Sequence, residues 1–161
     1  MTIDFILDGA DVSCRARATD RLSDVLAQEF PEAGVGSDCR AGRCGRCVVL
    51  MDGKLVLSCL VPAFRVRGAE IVSPRAYART EEGESVAAGF ARAGVAACEF
   101  CTPQRVLIAG LLLEEAAGAS ERRILEAMQT VQCRCVEPSA LVRGVRAAVE
   151  LRSERKWPHA R

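Results

Sequence analysis

Cysteine sets the problem for this chain. Nine of its 161 residues are cysteine, and they are unevenly spread. Cys39, Cys44, Cys47 and Cys59 form one group, Cys98, Cys101, Cys133 and Cys135 form a second, and Cys14 stands apart. The N-terminus, Met1-Thr2-Ile3-Asp4, has neither a basic segment nor an apolar signal core, so a cytoplasmic location is the expectation. Thiols stay reduced there, and clustered cysteines then read as metal or redox sites rather than disulfides. Two fours and a remainder is the arithmetic of two tetrathiolate sites. Half the residues are hydrophobic, enough to build cores without covalent staples. Twenty-two basic residues against twenty-one acidic ones exclude a nucleic-acid binder that relies on bulk charge. Apolar runs such as residues 106–113 are far too short to span a membrane. No nucleophile–base pair, phosphate loop or flavin fingerprint is present, so no catalytic residue is assigned.

The first half reads as a small β-rich module. Ile3, Phe5 and Leu7 alternate with Asp4, Ile6 and Asp8, and Asp8-Gly9 is a hairpin signal. A second strand is expected over residues 12–17. Leu22, Val25, Leu26 and Phe30 recur at helical spacing until Pro31 stops the helix. Residues 35–47 have no periodicity and read as a loop wrapped around something. Strands are expected on either side of Asp52-Gly53, with a last one over residues 68–72. Residues 73–84 have the composition of a linker. Beyond them the pattern turns helical, first over residues 85–93. Thr102 and Pro103 read as an N-cap and first helical residue, opening a helix whose apolar positions are Val106, Leu107, Leu111 and Leu113. Ser120 caps the next, with Ile124, Leu125 and Met128 on its buried side. Pro138 opens the last, with Leu141, Val142, Val145 and Val149 facing a core. Four helices with short connections predict a small bundle.

The first cysteine group is spaced Cys39-x4-Cys44-x2-Cys47-x11-Cys59. Three cysteines in a Gly-rich loop and a fourth beyond a hairpin is the plant-type [2Fe–2S] arrangement. Each iron takes two thiolates besides the bridging sulfides, so four sulfurs must converge. Gly42 and Gly45 let the loop fold back on itself, and its backbone N–H groups can then point at the sulfurs. A structural zinc site, the alternative, favours two short knuckles, and only one short pair exists here. Arg40, Arg43 and Arg46 alternate with the cysteines and read as a solvated loop edge.

In the second group Cys98-x2-Cys101 is followed, 31 residues later, by Cys133-Arg134-Cys135. Both pairs lie just before predicted helix starts. The partial positive charge of a helix N-terminus favours thiolate and an anionic cluster. Spacing alone leaves zinc open, because these two pairs also suit one tetrahedral ion.

The order of the two groups resembles the small iron–sulfur subunit of the xanthine oxidase family of molybdenum hydroxylases, over roughly residues 2–150. Local words match too: Cys44-Gly45-Arg46-Cys47-Val48-Val49, Ser58-Cys59-Leu60, Phe100-Cys101-Thr102-Pro103 and Cys133-Arg134-Cys135. Aerobic carbon monoxide dehydrogenase and aldehyde and xanthine oxidoreductases belong to that family. The resemblance implies an α+β fold: a plant-type ferredoxin-like (β-grasp) domain over residues 1–74, a linker over 75–84, a four-helix-bundle [2Fe–2S] domain over 85–151 and a tail over 152–161. It implies that Cys39, Cys44, Cys47 and Cys59 bind one [2Fe–2S] cluster, nearer the flavin. Cys98, Cys101, Cys133 and Cys135 bind the other, proximal to molybdenum. It further implies a large molybdopterin-binding subunit and a medium FAD-binding subunit as partners, in a heterotrimer or its dimer. Substrate oxidation is expected on the partner, with this chain relaying single electrons. The alternatives are a stand-alone ferredoxin-like carrier and a zinc-stabilised interaction module.

Around the second group the sequence departs from the family pattern Gln-Cys-Gly-Phe-Cys-Thr-Pro-Gly. It reads Ala97-Cys98-Glu99-Phe100-Cys101-Thr102-Pro103-Gln104. Alanine removes the side-chain hydrogen bond that the family glutamine makes to the pterin. Glu99 puts a carboxylate beside the site, which is expected to lower the cluster potential. Val136-Glu137-Pro138 replace the usual Thr-Gly-Tyr. Cys14 reads as a core or surface residue. Trp157 and His159 fall in the tail and are assigned no catalytic role.

Overall fold

A computed structural model describes residues 1–96 and 98–156. Ala97, Trp157 and His159 lie outside the described residues. The chain divides into two compact units, Met1–Tyr77 and Ala78–Arg161. Among the described residues there are six helices and one five-stranded sheet.

Two Asp-Gly turns organise the first unit. Strands β1 (Thr2–Leu7) and β2 (Ala10–Arg15) pair antiparallel with Leu7 opposite Ala10. Strands β3 (Val48–Met51) and β4 (Lys54–Leu57) pair the same way with Met51 opposite Lys54. Both turns take positive φ at each central residue: 53° and 82° at Asp8 and Gly9, 51° and 74° at Asp52 and Gly53. That primed geometry matches the twist of the flanking strands. It also draws Ala10 into the ladder, so the second strand begins two residues earlier than expected.

The same two aspartates hold β5 (Glu70–Val72). The Asp8 carboxylate accepts the Ser73 amide at 2.6 Å and the Ser73 hydroxyl at 2.7 Å. Asp52 Oδ1 accepts the Glu70 amide at 2.9 Å. Strand β5 runs parallel to β1 and antiparallel to β3, completing a mixed sheet in the order β2-β1-β5-β3-β4. Helix α1 (Leu22–Glu29) buries Leu22 and Leu26 in one core with Ile3, Phe5, Val49 and Ile71. The Phe30 ring meets Phe5 edge-on, with centroids 5.8 Å apart. Cys14 on β2 is buried in this core.

The interval expected as a linker is largely helical. It holds the short α2 (Pro74–Tyr77) and the first turn of α3 (Glu81–Arg92). Thr80 Oγ1 accepts the Gly83 amide at 3.1 Å. Glu81, Glu82 and Glu84 then sit in the first turn, where the helix dipole favours negative charge. An acidic run that composition assigns to a linker is thus a helix start.

Helices α4 (Thr102–Ala116), α5 (Glu121–Met128) and α6 (Pro138–Lys156) follow. Ser120 caps α5 as expected, accepting the Arg123 amide at 3.2 Å. Residues 104–110 of α4 are buried without a break, Leu112 is buried and Leu111 is exposed. Of the apolar positions named there, Val106, Leu107 and Leu113 are buried, and the unbroken burial shows that neighbours surround the first turns of α4. Leu125 and Val149 are half-buried rather than core. Arg146 of α6 donates to the carbonyls of Ala116, at 2.6 Å, and Ala119, satisfying the C-terminal end of α4.

Helices α3 and α6 approach closely at Gly89, where an added Cβ would lie 2.4 Å from the Ala148 backbone nitrogen. Gly89→Ala is expected to lower stability by about 1–3 kcal/mol through overpacking. The check is a fall in the urea midpoint at unchanged slope.

Candidate metal centres

The β3–β4 hairpin assembles half of the first group. Its register sets Val48 opposite Leu57, so Cys47 is placed beside Ser58 and Cys59 comes within reach. Ser58 locks this junction: its amide and its hydroxyl both donate to the Cys47 carbonyl, at 3.0 and 2.6 Å. Cys47 and Cys59 are each 2% exposed, and their thiols are hydrogen-bonded to one another.

Cys39 and Cys44 form the other half, again thiol to thiol. Between them the backbone is left-handed at Arg40 (φ 50°) and Gly42 (φ 69°). The φ of Gly42 calls for glycine, whereas the exposed Leu60 side chain, whose Cδ1 would stand 2.8 Å from an added Cβ, can move aside. The tight path aims the amides of Ala41, Cys44 and Arg43 at the Cys39 sulfur, which lowers that thiol to about 6. Burial acts oppositely on the neighbours, raising Cys44 and pushing Cys47 up to about 12. Arg40 pairs with Asp24 at 3.3 Å and Arg46 with Asp38 at 2.6 Å, while Arg43 is exposed. These are surface contacts, in keeping with a solvated loop edge.

The second group forms where two helices begin. Thr102 does not cap α4 as the sequence suggests. It is the first helical residue, Cys101 occupies the cap position without a side-chain cap bond, and Thr102 Oγ1 accepts the Cys98 amide at 2.8 Å. The hydroxyl thereby ties the Cys98–Cys101 turn to the helix. Cys133 and Cys135 lie between α5 and Pro138 at the head of α6. The sulfurs of Cys98, Cys101 and Cys133 fall within 4.8 Å of one another, and the Cys135 amide donates to Cys133 Sγ at 3.4 Å. Burial pushes Cys101 up to about 12. It also raises Cys133, but the Cys135 amide, the thiols of Cys101 and Cys135 and the Arg105 charge outweigh it and hold Cys133 below an ordinary thiol. The Cys133 and Cys98 sulfurs raise Cys135, which is exposed.

All eight cysteines of the two groups are free thiols, as is Cys14. Soft sulfur donors suit iron or zinc and exclude hard cations such as magnesium or calcium. Buried neutral thiols become ligands when a bound metal takes their protons. The first group fits a two-iron centre: its thiols are arranged as two pairs, whereas one zinc requires all four sulfurs about 2.3 Å from a single point. The tighter triplet of the second group fits either a cluster or a single tetrahedral ion.

Sequence reasoning missed Ser58, the role of Thr102, and Arg105, which is buried on α4. Arg105 had a signal: it is the single charge between Glu99 and Glu114.

The [2Fe-2S] binding domain family matches residues 76–146, a stretch that contains the whole second group. The chain is 32% identical over 126 residues to a probable xanthine dehydrogenase subunit of Bacillus subtilis (strain 168), covering 78% of this chain and 72% of that relative. It is 30% identical over 150 residues to the nicotinate dehydrogenase small FeS subunit of Eubacterium barkeri, covering 93% and 96%. In structure it resembles a chain of quinoline 2-oxidoreductase from Pseudomonas putida 86, with a TM-score of 0.80, 25% identity, and 95% and 96% of the two chains covered.

Ser58→Ala removes a buried hydroxyl from the Cys47 junction. It is expected to lower stability by about 1 kcal/mol. Urea unfolding followed by circular dichroism measures it.

Proposed function

This chain belongs to the small iron–sulfur subunits of the molybdenum hydroxylases, and on that footing we propose that it carries two [2Fe–2S] clusters, one in each unit. It is an electron-transfer subunit of an oxidoreductase complex, and substrate is oxidised elsewhere in that complex. The observation that carries the two-cluster reading is the gathering of eight thiols into two sets. The [2Fe-2S] domain match over residues 76–146 favours iron over zinc in the second. Cys39 and Cys44 would hold one iron of the first cluster and Cys47 and Cys59 the other. Cys98, Cys101, Cys133 and Cys135 would hold the second cluster. Such clusters, when bound, supply reversible one-electron chemistry.

The chain's own residues do the rest. Amides of Ala41, Arg43 and Cys44 favour negative charge on the first site. Burial of Cys47 and Cys59 keeps water from it. The parallel β1–β5 pair between two hairpins, with α1 sharing the core, supports a plant-type ferredoxin-like β-grasp domain for residues 1–74. The packing among α3, α4, α5 and α6 supports a four-helix domain for residues 85–151, with 75–84 joining the two. With clusters bound, the two cysteine groups would let the chain relay single electrons from a molybdenum site, by way of the second group and then the first, towards flavin. The partners are a large molybdopterin-binding subunit and a medium FAD-binding subunit, in a heterotrimer or its dimer. Exposed apolar residues near the cysteines, Leu60 and Phe64 in one unit and Phe100 in the other, supply surfaces for such partners. Among the described residues no helix is long and apolar enough to cross a membrane. The proposed location of the complex is the cytoplasm.

About four irons and four labile sulfides per chain are expected, with two distinct EPR signals on reduction. Cys44→Ser is expected to abolish one signal and Cys133→Ser the other. About two zincs without visible absorbance would overturn the reading. Co-purifying molybdenum and flavin subunits support the assembly, while a lone chain that carries electrons points to a free-standing ferredoxin-like carrier.

A further inference from the structure

Helix α4 runs without a second charge from its start as far as Glu114, and the one charge it does carry is buried. Arg105 is 3% exposed. Its amide donates to the Cys101 carbonyl at 3.1 Å, which puts it one turn beyond the cysteine that opens the helix. Its Nε–H is closed off from water and has no acceptor among the described residues. An arginine cannot shed its proton to escape such a place. Holding an uncompensated guanidinium inside a protein is strongly unfavourable, so an anionic group is needed to offset it. The anionic site within reach is the sulfur set itself: Arg105 follows Cys101 by one helical turn, on the same face, and the Cys101 sulfur lies within 4.8 Å of those of Cys98 and Cys133.

We propose that Arg105 is a positioning residue for the second cluster, the fixed cation that holds its reduction potential above the value a neutral side chain would give. The inference rests on the two-cluster reading above. Taking up an electron adds negative charge at the sulfurs, and a buried cation beside them favours the reduced form. Four charged side chains lie on or beside the segments that carry these cysteines: Glu99, Arg105, Arg134 and Glu137. Three of them are exposed, and only Arg105 is buried. At equal distance a charge in a protein environment acts about four times as strongly as one in water, following effective dielectrics of about 20 and 80. Salt further screens the exposed three. At comparable distance Arg105 therefore outweighs Glu99 and opposes the lowering of potential that Glu99 suggests from sequence.

The test is a reductive titration of the iron-loaded chain with dithionite, each EPR signal followed separately. In Arg105→Met the second cluster is expected to shift downward by about tenfold in its electron-uptake equilibrium, which is about 59 mV for one electron. The first cluster is expected to keep its native potential. Arg105→Gln, also neutral, is expected to match Arg105→Met and stands in for it if methionine prevents cluster assembly. Arg105→Lys keeps the charge and is expected to restore most of the shift. An unmoved potential in a neutral variant with full iron content overturns the inference. So does an equal shift of both clusters, or loss of the second cluster from the lysine variant, which would make the role one of packing. A wild-type chain with only one EPR signal would instead refute the two-cluster reading, before any variant is made.

Discussion

Sulfur atoms held within reach of one another constrain the backbone on both sides of them. Thiols gain little from meeting, and thiolates repel, so the surrounding chain has to enforce the meeting. In the first unit a strand register and a left-handed loop do so. The β3–β4 ladder brings Cys47 to Cys59, with Ser58 bonded twice to the Cys47 carbonyl. The turn at Gly42 returns three amides to Cys39. In the second unit two helix starts do it, with the Thr102 hydroxyl fastening the Cys98 amide. The sheet, with α1 in its core, and the packed helices are what keep these local arrangements from relaxing.

The two settings differ electrostatically. Cys47 and Cys59 are sealed by the sheet, and the dipoles around the first group come from backbone amides. The second group reaches the surface, with Cys135 exposed, and there the charge of Arg105 adds to the amide and thiol hydrogen bonds that lower Cys133. Dipoles and full charges both favour negative charge on sulfur, by different amounts and with different responses to salt. Two centres built from the same donor atoms are thereby set apart by their surroundings.

Much of this was legible in the sequence where one residue type admits one conformation. Asp-Gly twice gave two hairpins, Pro31 ended α1, and Ser120 capped α5. The grouping of the eight cysteines could be read because spacing and order are properties of the chain itself. Three features were not legible, each for a physical reason. Glu81-Glu82-Gly83-Glu84 has the composition of a linker, and only the Thr80 hydrogen bond and the dipole turn it into a helix start. Thr102 had two possible acceptor roles, and the path of the Cys98 turn chose between them. The exposure of Leu111 on α4 depends on neighbours far away in sequence.

Arg146 has a mechanical consequence. Its guanidinium bridges from the middle of α6 to the far end of α4, while the heads of those same helices adjoin the two cysteine pairs of the second unit. Any axial slip of one helix past the other would alter the gap between those pairs. The bridge resists that slip and so helps to hold the spacing between the two pairs. A contact far from any sulfur thereby bears on how the sulfurs are spaced.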